Sequence, residues 1–411
     1  MVHDTPRFSL VVFGATGFVG RILCQYLLNQ VGVNESVKWA IAGRSQAKLE
    51  ALVSALGPNA KGLPQIVADA ADAASLRHLC AQTQVVISTV GPYALYGEPL
   101  VKVCAETGTD YCDLTGEPQW VRQMIHRYGA SAQQSGARII HCCGFDSIPS
   151  DLGVYYLQQQ AKQTFGQPCD RVKMRVKAAQ GGVSGGTAAS GINVIKEAGT
   201  DAALRQELGD PYSLCPDGRS SSQHPPPLIP VQYDEDSQGW VSPFVMAAIN
   251  TRIVLRSNAL LNYAYGQHFQ YDEAVPTGPD ATGWLAAQGL SIGLSGLAAA
   301  MAFSPMRWLL ENTIIPKSGE GPSPASQEAG FYDLRFWGTT PSGQKMQVKV
   351  TGDRDPGYGS TSKLLGQAGL CLAQDFPPSA KAGGYRTPAA MIGEVLIERL
   401  VKAAGLTFEV C

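Results

Sequence analysis

A glycine-rich turn between a short apolar run and a helix-like segment most constrains the fold of this chain. The run is Phe8–Phe13, the turn reads Gly14-Ala15-Thr16-Gly17-Phe18-Val19-Gly20, and apolar residues keep helical spacing from Phe18 to Leu28. Glycines let a backbone approach a pyrophosphate, which the N-terminus of the following helix stabilises. Between a strand and a helix, the pattern predicts that the whole turn binds a dinucleotide; a plain structural turn is the alternative.

Apolar runs and helix-like segments alternate through the first 150 residues. A second helix is expected near Gln46–Leu56, with further helices between the later strands. Those strands are expected at Lys38–Ala42, Leu63–Ala68, Val85–Thr89, Asp110–Asp113 and Arg138–His141. Strands that alternate with helices make right-handed crossovers and a parallel sheet covered on both faces. We therefore predict an α/β, doubly wound nucleotide-binding domain over residues 1–150.

The end of the second predicted strand indicates which dinucleotide binds. NAD-binding domains usually place Asp or Glu there to hold the ribose 2′-hydroxyl. This chain has Arg44 and Ser45 there, with Lys48 one helical turn later. A guanidinium suits a 2′-phosphate through charge-assisted hydrogen bonds, although a solvated surface arginine is the alternative. We predict NADP(H), and we expect Asp69, after the third strand, either beside the adenine or at a helix N-cap.

Polar and aromatic residues follow the fourth and sixth strands, whose carboxyl ends face the ligand crevice in open α/β sheets. The fourth strand runs into Thr89-Val90-Gly91-Pro92-Tyr93, a segment expected beside the ribose or nicotinamide. Tyr93 is a candidate proton donor, as are His141 and Asp146 after the sixth strand. Each has a structural alternative: packing for Tyr93, helix capping for Asp146 and a satisfied core position for His141.

Composition excludes several classes of function. Of the 411 residues, 16% are charged and the formal net charge is −2, so nothing indicates a nucleic-acid partner. The ten cysteines are scattered, with no Cys-x-x-Cys pair and no Cys/His cluster at zinc spacing. We expect no metal site, and we expect reduced thiols in a cytoplasmic protein.

The second half of the chain predicts a mixed architecture. Arg171–Lys177 alternates basic and apolar residues, which favours a strand with its apolar side chains inward. Tyr332–Thr340 and Gln344–Thr351 are typical of a hairpin. Near the C-terminus, Thr387 followed by proline is typical of the start of a helix.

Eight motifs along the chain carry a resemblance to one known family. They are Gly14–Gly20, Ala42–Arg44, Val90–Tyr93, Asp113–Glu117, His141–Asp151, Ser184–Thr187, Asp355–Tyr358 and Gly383–Pro388. Together they resemble the saccharopine dehydrogenase-like oxidoreductases, and among these the trans-acting enoyl reductase branch. The resemblance implies a Rossmann domain at 1–150, a mixed α+β substrate domain at 151–385, and a C-terminal helix at 386–411 that returns to the first domain.

The resemblance also implies an activity. It suggests NADPH-dependent reduction of a carbon–carbon double bond in an apolar, lipid-like or polyketide-type small molecule, and we expect a homodimer. An imine or amino-acid oxidoreductase of the saccharopine type is the alternative. That chemistry needs cations for the substrate carboxylates, for which Arg252, Arg256 and Lys363 are candidates. A non-catalytic NADP-binding scaffold at membranes or lipid bodies is a third hypothesis.

A stretch without any charged residue runs from Ala281 to Met306. Its core of about 20 residues is long enough to span a bilayer. Glycines, serines and a glutamine make it a poor span by hydropathy, while Arg307 and Trp308 follow it as an interfacial combination. Three interpretations stay open: a buried helix or loop, a peripheral membrane contact through residues 281–308, and a true span.

Overall fold

Two seven-stranded sheets organise the chain. The computed structural model describes residues 6–33, 37–182, 185–216, 231–303, 305, 308, 320–376 and 382–411. The first sheet is parallel in all its pairings, and the second is mixed. The predicted α/β class, with a doubly wound sheet and a second mixed unit, is therefore confirmed.

The first sheet is built mainly from the N-terminal region. Its strands are β1 (Phe8–Phe13), β2 (Trp39–Gly43), β3 (Gln65–Val67), β4 (Thr83–Ser88), β5 (Asp110–Asp113), β6 (Arg138–Ile140) and β13 (Gly384–Arg386). The helices between them are α1 (Phe18–Val31), α2 (Gln46–Leu56), α3 (Ala73–Cys80), α4 (Tyr93–Tyr96), α5 (Glu98–Thr107) and α6 (Pro118–Ser135). The strand order is β13-β6-β5-β4-β1-β2-β3. Every predicted N-terminal strand is present, with ends that differ by no more than two residues.

A C-terminal segment also belongs with this first sheet. Helix α13 (Thr361–Gln374) packs on β1, β4 and β5, and β13 pairs with β6. The approach of α13 is close, because a Cβ at Gly369 would lie 2.3 Å from Cδ1 of Ile87. The motifs predicted that residues 151–385 form the second unit, but α13 and the start of β13, which fall in this range, belong with the first sheet. Small residues on one face of α13 let this helix lie directly on that sheet.

The strands of the second sheet are β7 (Arg171–Gln180), β8 (Gln232–Asp234), β9 (Gly239–Pro243), β10 (Gln270–Gly278), β11 (Phe331–Thr339), β12 (Lys345–Gly352) and β14 (Leu406–Val410). Their order in the sheet is β14-β12-β11-β7-β10-β9-β8. The helices around it are α7 (Ile148–Phe165), α8 (Gly185–Thr200), α9 (Ala202–Gly209), α10 (Ala247–Leu260), α11 (Ala281–Ala302), α12 (Pro324–Ala329) and α14 (Pro388–Arg399). Val172, Met174 and Val176 are buried, as the alternation predicts. The predicted hairpin is also present, as β11 and β12.

The C-terminal helix α14 begins as its sequence predicts. The side chain of Thr387 accepts a hydrogen bond from the backbone N–H of Ala390, and Pro388 occupies the first turn. Its buried face, with Ile392 and Leu396, packs against α7 and α13. After α14 the chain adds β14 to the edge of the second sheet, so the predicted 386–411 segment joins both sheets.

Helix α11 lies largely outside the core. Its large apolar side chains face outward, including Leu285 at 61% and Ile292 at 68% exposure. The interpretation of this stretch as a buried helix is therefore wrong for the described residues. By length and composition alone, Ala281–Met301 could cross a membrane.

Candidate active site

The glycine turn after β1 forms a cradle that additional side-chain atoms would fill. Gly14 has a φ of +87°, and a Cβ there would lie 2.7 Å from both Oγ1 of Thr89 and Cγ2 of Val90. A Cβ at Gly20 would lie 2.3 Å from the carbonyl oxygen of Gly14, so this glycine lets α1 pack tightly under the turn. Gly17 is the N-cap of α1, and no described side chain caps it. The first amides of α1 are thus placed to bind a pyrophosphate.

The end of β4 is tied to this turn. The hydroxyl of Thr89 donates to the carbonyl oxygens of Phe13 and Gly14, at 3.2 and 3.1 Å. The strands β1 and β4 are neighbours in the sheet, and the strand order reverses around β1. Open α/β sheets bind their ligands at such a reversal. The structure therefore brings the predicted Gly14–Gly20 and Thr89–Pro92 segments together at one crevice.

The residues predicted to select NADP lie at the end of β2. Arg44 is exposed there, and so is Lys48 in the first turn of α2. The side chain of Ser45 caps α2 by accepting from the backbone N–H of Lys48 at 3.4 Å. Two exposed cations beside a helix N-terminus suit a dianionic 2′-phosphate.

Asp69 lies in the loop after β3. Its carboxylate accepts from the backbone N–H of Ala71 at 2.9 Å. The N-cap of α3 is Asp72, whose side chain accepts from Ala74 N–H, so the N-cap interpretation of Asp69 is wrong. A place beside the adenine remains the prediction for Asp69.

Tyr93 is buried beneath the crevice. Its hydroxyl donates to the carbonyl oxygen of Ser88 at 2.9 Å and accepts from the backbone N–H of Leu114 at 3.4 Å. Burial and the nearby Asp113 carboxylate raise the pKa of this phenol well above its usual value. A phenol that is buried, fully hydrogen-bonded and hard to ionise suits the packing role rather than proton transfer.

His141 also lies in the core. Its Nδ1 is 2.7 Å from Oδ2 of Asp113, and Oδ2 also accepts from the hydroxyl of Tyr111 at 2.9 Å. The imidazole packs edge-on against the Trp120 ring, with centroids 4.9 Å apart. With 3% of its surface exposed, His141 lies in the core, but its Nε2 has no hydrogen-bond partner among the described residues, so this is not the satisfied core position of the alternative.

Of the three predicted proton donors, Asp146 is the one that is not fully buried in the core. It follows β6, it is half-buried, and among the described residues its carboxylate has no hydrogen-bond or ion-pair partner. A Cβ at Gly116, after β5, would lie 3.8 Å from Oδ2 of Asp146 and 3.8 Å from Cε of Met246. Burial raises the pKa of Asp146 to about 6. An uncommitted carboxyl group with such a pKa can give up a proton near neutral pH.

Glu117 is a buried residue to which the sequence analysis gave no role. Its carboxylate accepts from the backbone N–H groups of Tyr93 and Ala94 at 2.8 and 3.0 Å, and from the hydroxyl of Ser190 at 2.9 Å. It therefore joins the turn after β4 to helix α8. Burial raises its pKa above the usual carboxyl value. The motif Asp113–Glu117 contained this residue, but spacing alone could not reveal a partner 24 residues earlier in the chain.

The three candidate cations for substrate carboxylates have protein partners. Arg252 donates to the hydroxyl of Ser213 at 3.0 Å and to backbone carbonyls. Arg256 donates to the carbonyl oxygens of Leu214 and Tyr385. The ammonium of Lys363 binds Asp353 at 2.8 Å and the carbonyl oxygen of Ala404 at 3.2 Å. Each of the three cations is thus hydrogen-bonded or ion-paired within the protein, where it stabilises the fold rather than facing a substrate carboxylate.

Fold and crevice together define an NADP-dependent oxidoreductase. The family model described as the saccharopine dehydrogenase NADP binding domain matches residues 10–140. The saccharopine dehydrogenase (L-Glu forming) of Saccharomyces cerevisiae has a similar fold, with a TM-score of 0.53 and 13% identity, covering 98% of this chain and 99% of that one. At this identity, the likeness shows the fold alone.

Two mycobacterial proteins are more similar in sequence. A putative trans-acting enoyl reductase of Mycobacterium tuberculosis is 41% identical over 418 residues, covering 98% of each chain. The trans-acting enoyl reductase of Mycobacterium bovis is 39% identical over 412 residues, covering 96% of each chain. The chain belongs to this trans-acting enoyl reductase family within the saccharopine dehydrogenase-like oxidoreductases, and the resemblance found in its motifs is confirmed.

Proposed function

We propose that this enzyme reduces a carbon–carbon double bond conjugated to a carbonyl group, in an apolar acyl or polyketide-type substrate. The observation that carries the proposal is the placement of Asp146, a half-buried carboxyl group without a described partner. It follows β6 and lies near Gly116, which follows the neighbouring strand β5. An enoyl reduction needs one hydride and one proton on adjacent carbons. The crevice offers a nucleotide cradle and a proton donor at one edge of the sheet.

The proposed roles follow from the positions of the residues. NADPH, when bound, would supply a hydride for the β-carbon of the substrate. The glycine turn would hold its pyrophosphate, and Arg44 with Lys48 would hold its 2′-phosphate. As the electron pair of the double bond shifts toward the carbonyl group, Asp146 donates its proton to the α-carbon. Solvent then returns a proton to the carboxylate, since Asp146 is only half-buried.

Partly exposed apolar side chains near the glycine turn and near Asp146 support an apolar substrate. Val90, Ala94 and Met246 are only partly buried, and all three pack against one apolar cluster of the core. Val245, next to Met246, is exposed at 64%. Apolar side chains on a partly open wall bind a hydrocarbon chain through the hydrophobic effect. The names of the mycobacterial relatives support the same class of reaction.

The saccharopine-type alternative has less support. Its substrates carry carboxylates, and the candidate cations Arg252, Arg256 and Lys363 are held by hydroxyl, carbonyl and carboxylate groups of the protein. A spectrophotometric assay of NADPH oxidation separates the two reactions. We expect turnover with long-chain enoyl thioesters and none with lysine plus a keto acid. The reverse preference would contradict the proposal.

A homodimer and a cytoplasmic location stay predictions. Size-exclusion chromatography with light scattering tests the first, because a homodimer has twice the mass of the 43.6 kDa chain. A monomer at assay concentrations would contradict it. Cell fractionation tests the second.

A further inference from the structure

Helix α11 contacts the protein through small residues near its start, and several of its large apolar residues face away from the protein. Gly283 and Ala287 are buried, whereas Trp284, Leu285 and Ile292 are exposed. A Cβ at Gly283 would lie 2.4 Å from the carbonyl oxygen of Gly278, so the start of the helix is fixed tightly to β10. A helix surrounded by water shows the opposite distribution. The outer surface of α11 is therefore built for an apolar medium.

The exposed apolar residues of α11 point in several directions. At 100° per residue, Leu285 and Ile292 share one direction, Leu290 and Leu297 share a second about 140° away, and Trp284 lies outside both groups. All five are at least 39% exposed. A second copy of the chain would cover one face of such a helix. Lipid hydrocarbon surrounds it on all its open sides.

The sheet topology prevents α11 from crossing a membrane on its own. Strand β10 precedes the helix and β11 follows it, yet both pair with β7. Arg175 of β7 is even the register partner of Ala274 on one side and Arg335 on the other. The chain before and after α11 must therefore lie on the same side of any membrane. The interpretation as a true span does not fit this topology.

The chain that follows α11 is long enough to reach from the far end of the helix back to the side of the membrane on which both sheets lie. The helix is about 33 Å long, at 1.5 Å per residue. Between Phe303 and Glu320 an extended chain reaches roughly 55 Å, which is longer than the helix. Trp284 and Trp308, near the two ends of the stretch, are exposed at 41% and 65%. Tryptophan favours the headgroup level of a bilayer.

We propose that α11 inserts its outer surface into the hydrocarbon of a phospholipid membrane from one side, and does not cross it. The partner is the acyl-chain region rather than the headgroups, since Ala281–Met306 carries no charged residue. Helix α11 packs on α8, and Ser190 of α8 donates to Glu117 below the crevice. A membrane-bound α11 thus lies one helix away from the candidate active site.

The test is flotation with sealed vesicles of pure phosphatidylcholine. The full-length protein is expected to float with the vesicles and to remain bound in high salt, because the attraction is hydrophobic. The double variant Ile292→Lys/Leu297→Lys places two charges on exposed positions and should reduce flotation more than tenfold. The matched control Val401→Lys/Val410→Lys changes two exposed valines elsewhere and should float like the unchanged protein. NADPH binding, measured by fluorescence, shows that each variant is folded.

Several outcomes would overturn the proposal. The unchanged protein could stay with the unbound fraction, or the α11 variant could float as well as its control. A dimer that only the α11 variant dissociates, without flotation, would show that a second copy covers the helix. A protease outside the vesicles should cleave tags at both chain termini, and protection of one tag would show that the termini lie on opposite sides of the membrane, against this topology. Flotation needs no substrate, so these outcomes are independent of the proposed reaction.

Discussion

The backbone N–H of Tyr93 donates a hydrogen bond to Oε1 of Glu117 at 2.8 Å, which ties the turn after β4 to the start of α6. In Glu117→Gln, the side-chain NH₂ group would face the backbone N–H of either Tyr93 or Ala94, and one of these two hydrogen bonds would be lost. We expect kcat to fall about tenfold through misplacement of the turn, with the Kd for NADPH changing less than about threefold. Stopped-flow turnover and NADPH titration measure the two quantities.

The matched control for that change is Glu50→Gln, which alters an exposed carboxylate on α2. It should leave both quantities unchanged. If Glu117→Gln behaved like Glu50→Gln, the connection to Tyr93 would have no part in positioning the crevice.

Asp146→Asn removes the proposed proton donor and keeps the size of the side chain. We expect kcat to fall by about 100-fold or more, with NADPH binding unchanged. Burial raises the pKa of Asp146 to about 6, and the reaction needs its protonated form. The kcat of the unchanged enzyme should therefore decline as the pH rises above about 6. The variant should lose this decline.

The control for Asp146 is Tyr93→Phe. Its hydroxyl bonds to the carbonyl oxygen of Ser88 inside the core, so the variant should lose about 1 kcal/mol of stability and keep most of its turnover. A large loss of turnover in Tyr93→Phe, together with full turnover in Asp146→Asn, would contradict the proposal and indicate Tyr93 as the proton donor.

Arg44→Ala tests the choice of cofactor. Removal of a charge-assisted contact to the 2′-phosphate should weaken NADPH binding roughly 10- to 100-fold and leave NADH binding nearly unchanged. Lys61→Ala, another exposed cation of the first sheet region, should change neither. Isothermal titration with both nucleotides gives the comparison. Equal weakening of NADPH and NADH would contradict the assignment of Arg44.

Asp151 should make the stability depend on pH. Its carboxylate accepts from Ser257 at 2.6 Å and from the backbone N–H of Ala389 at 2.8 Å, and burial raises its pKa from 3.8 to about 7. The folded state thus keeps a proton that the unfolded chain releases between about pH 4 and 7. The free energy of unfolding should decrease as the pH rises through this window.

Asp151→Asn separates this contribution from those of other buried carboxyl groups. An amide can accept from Ala389 N–H through Oδ1 and donate to Ser257 through Nδ2. The variant should therefore gain stability relative to the unchanged protein at pH 7, by on the order of 1 kcal/mol or more. Urea unfolding at several pH values measures the difference. An identical pH dependence in both proteins would contradict the role of Asp151.

Local patterns predicted the parts of the fold that depend on neighbours in sequence. The strand–turn–helix at Gly14–Gly20 follows from glycine positions and apolar spacing, and so do the Arg44 position and the Thr387 cap. Helix α13 was assigned to the second unit because its small residues do not say which sheet they approach. The structure shows it, through the packing of α13 on β1, β4 and β5 and the close approach of Gly369 to Ile87.

The site was harder to predict, because its hydrogen bonds join distant segments. Tyr93, His141 and Asp146 all follow strands whose ends face the crevice, and sequence alone gave them similar roles. The structure distinguishes their roles, because the hydroxyl of Tyr93 is hydrogen-bonded to the Ser88 carbonyl oxygen and Nδ1 of His141 to the Asp113 carboxylate. The role of Glu117 could not be predicted from the sequence, because its hydrogen-bond partners lie in α4 and α8, far from it along the chain.

Deuterium transfer tests the central claim most directly. The enzyme would be given NADPH with deuterium at C4, on the face that it uses, and a long-chain enoyl thioester. Mass spectrometry and NMR of the product should show one deuterium at the β-carbon and a solvent-derived hydrogen at the α-carbon. A product without deuterium, or transfer only to an imine formed from lysine and a keto acid, would contradict the proposed enoyl reduction.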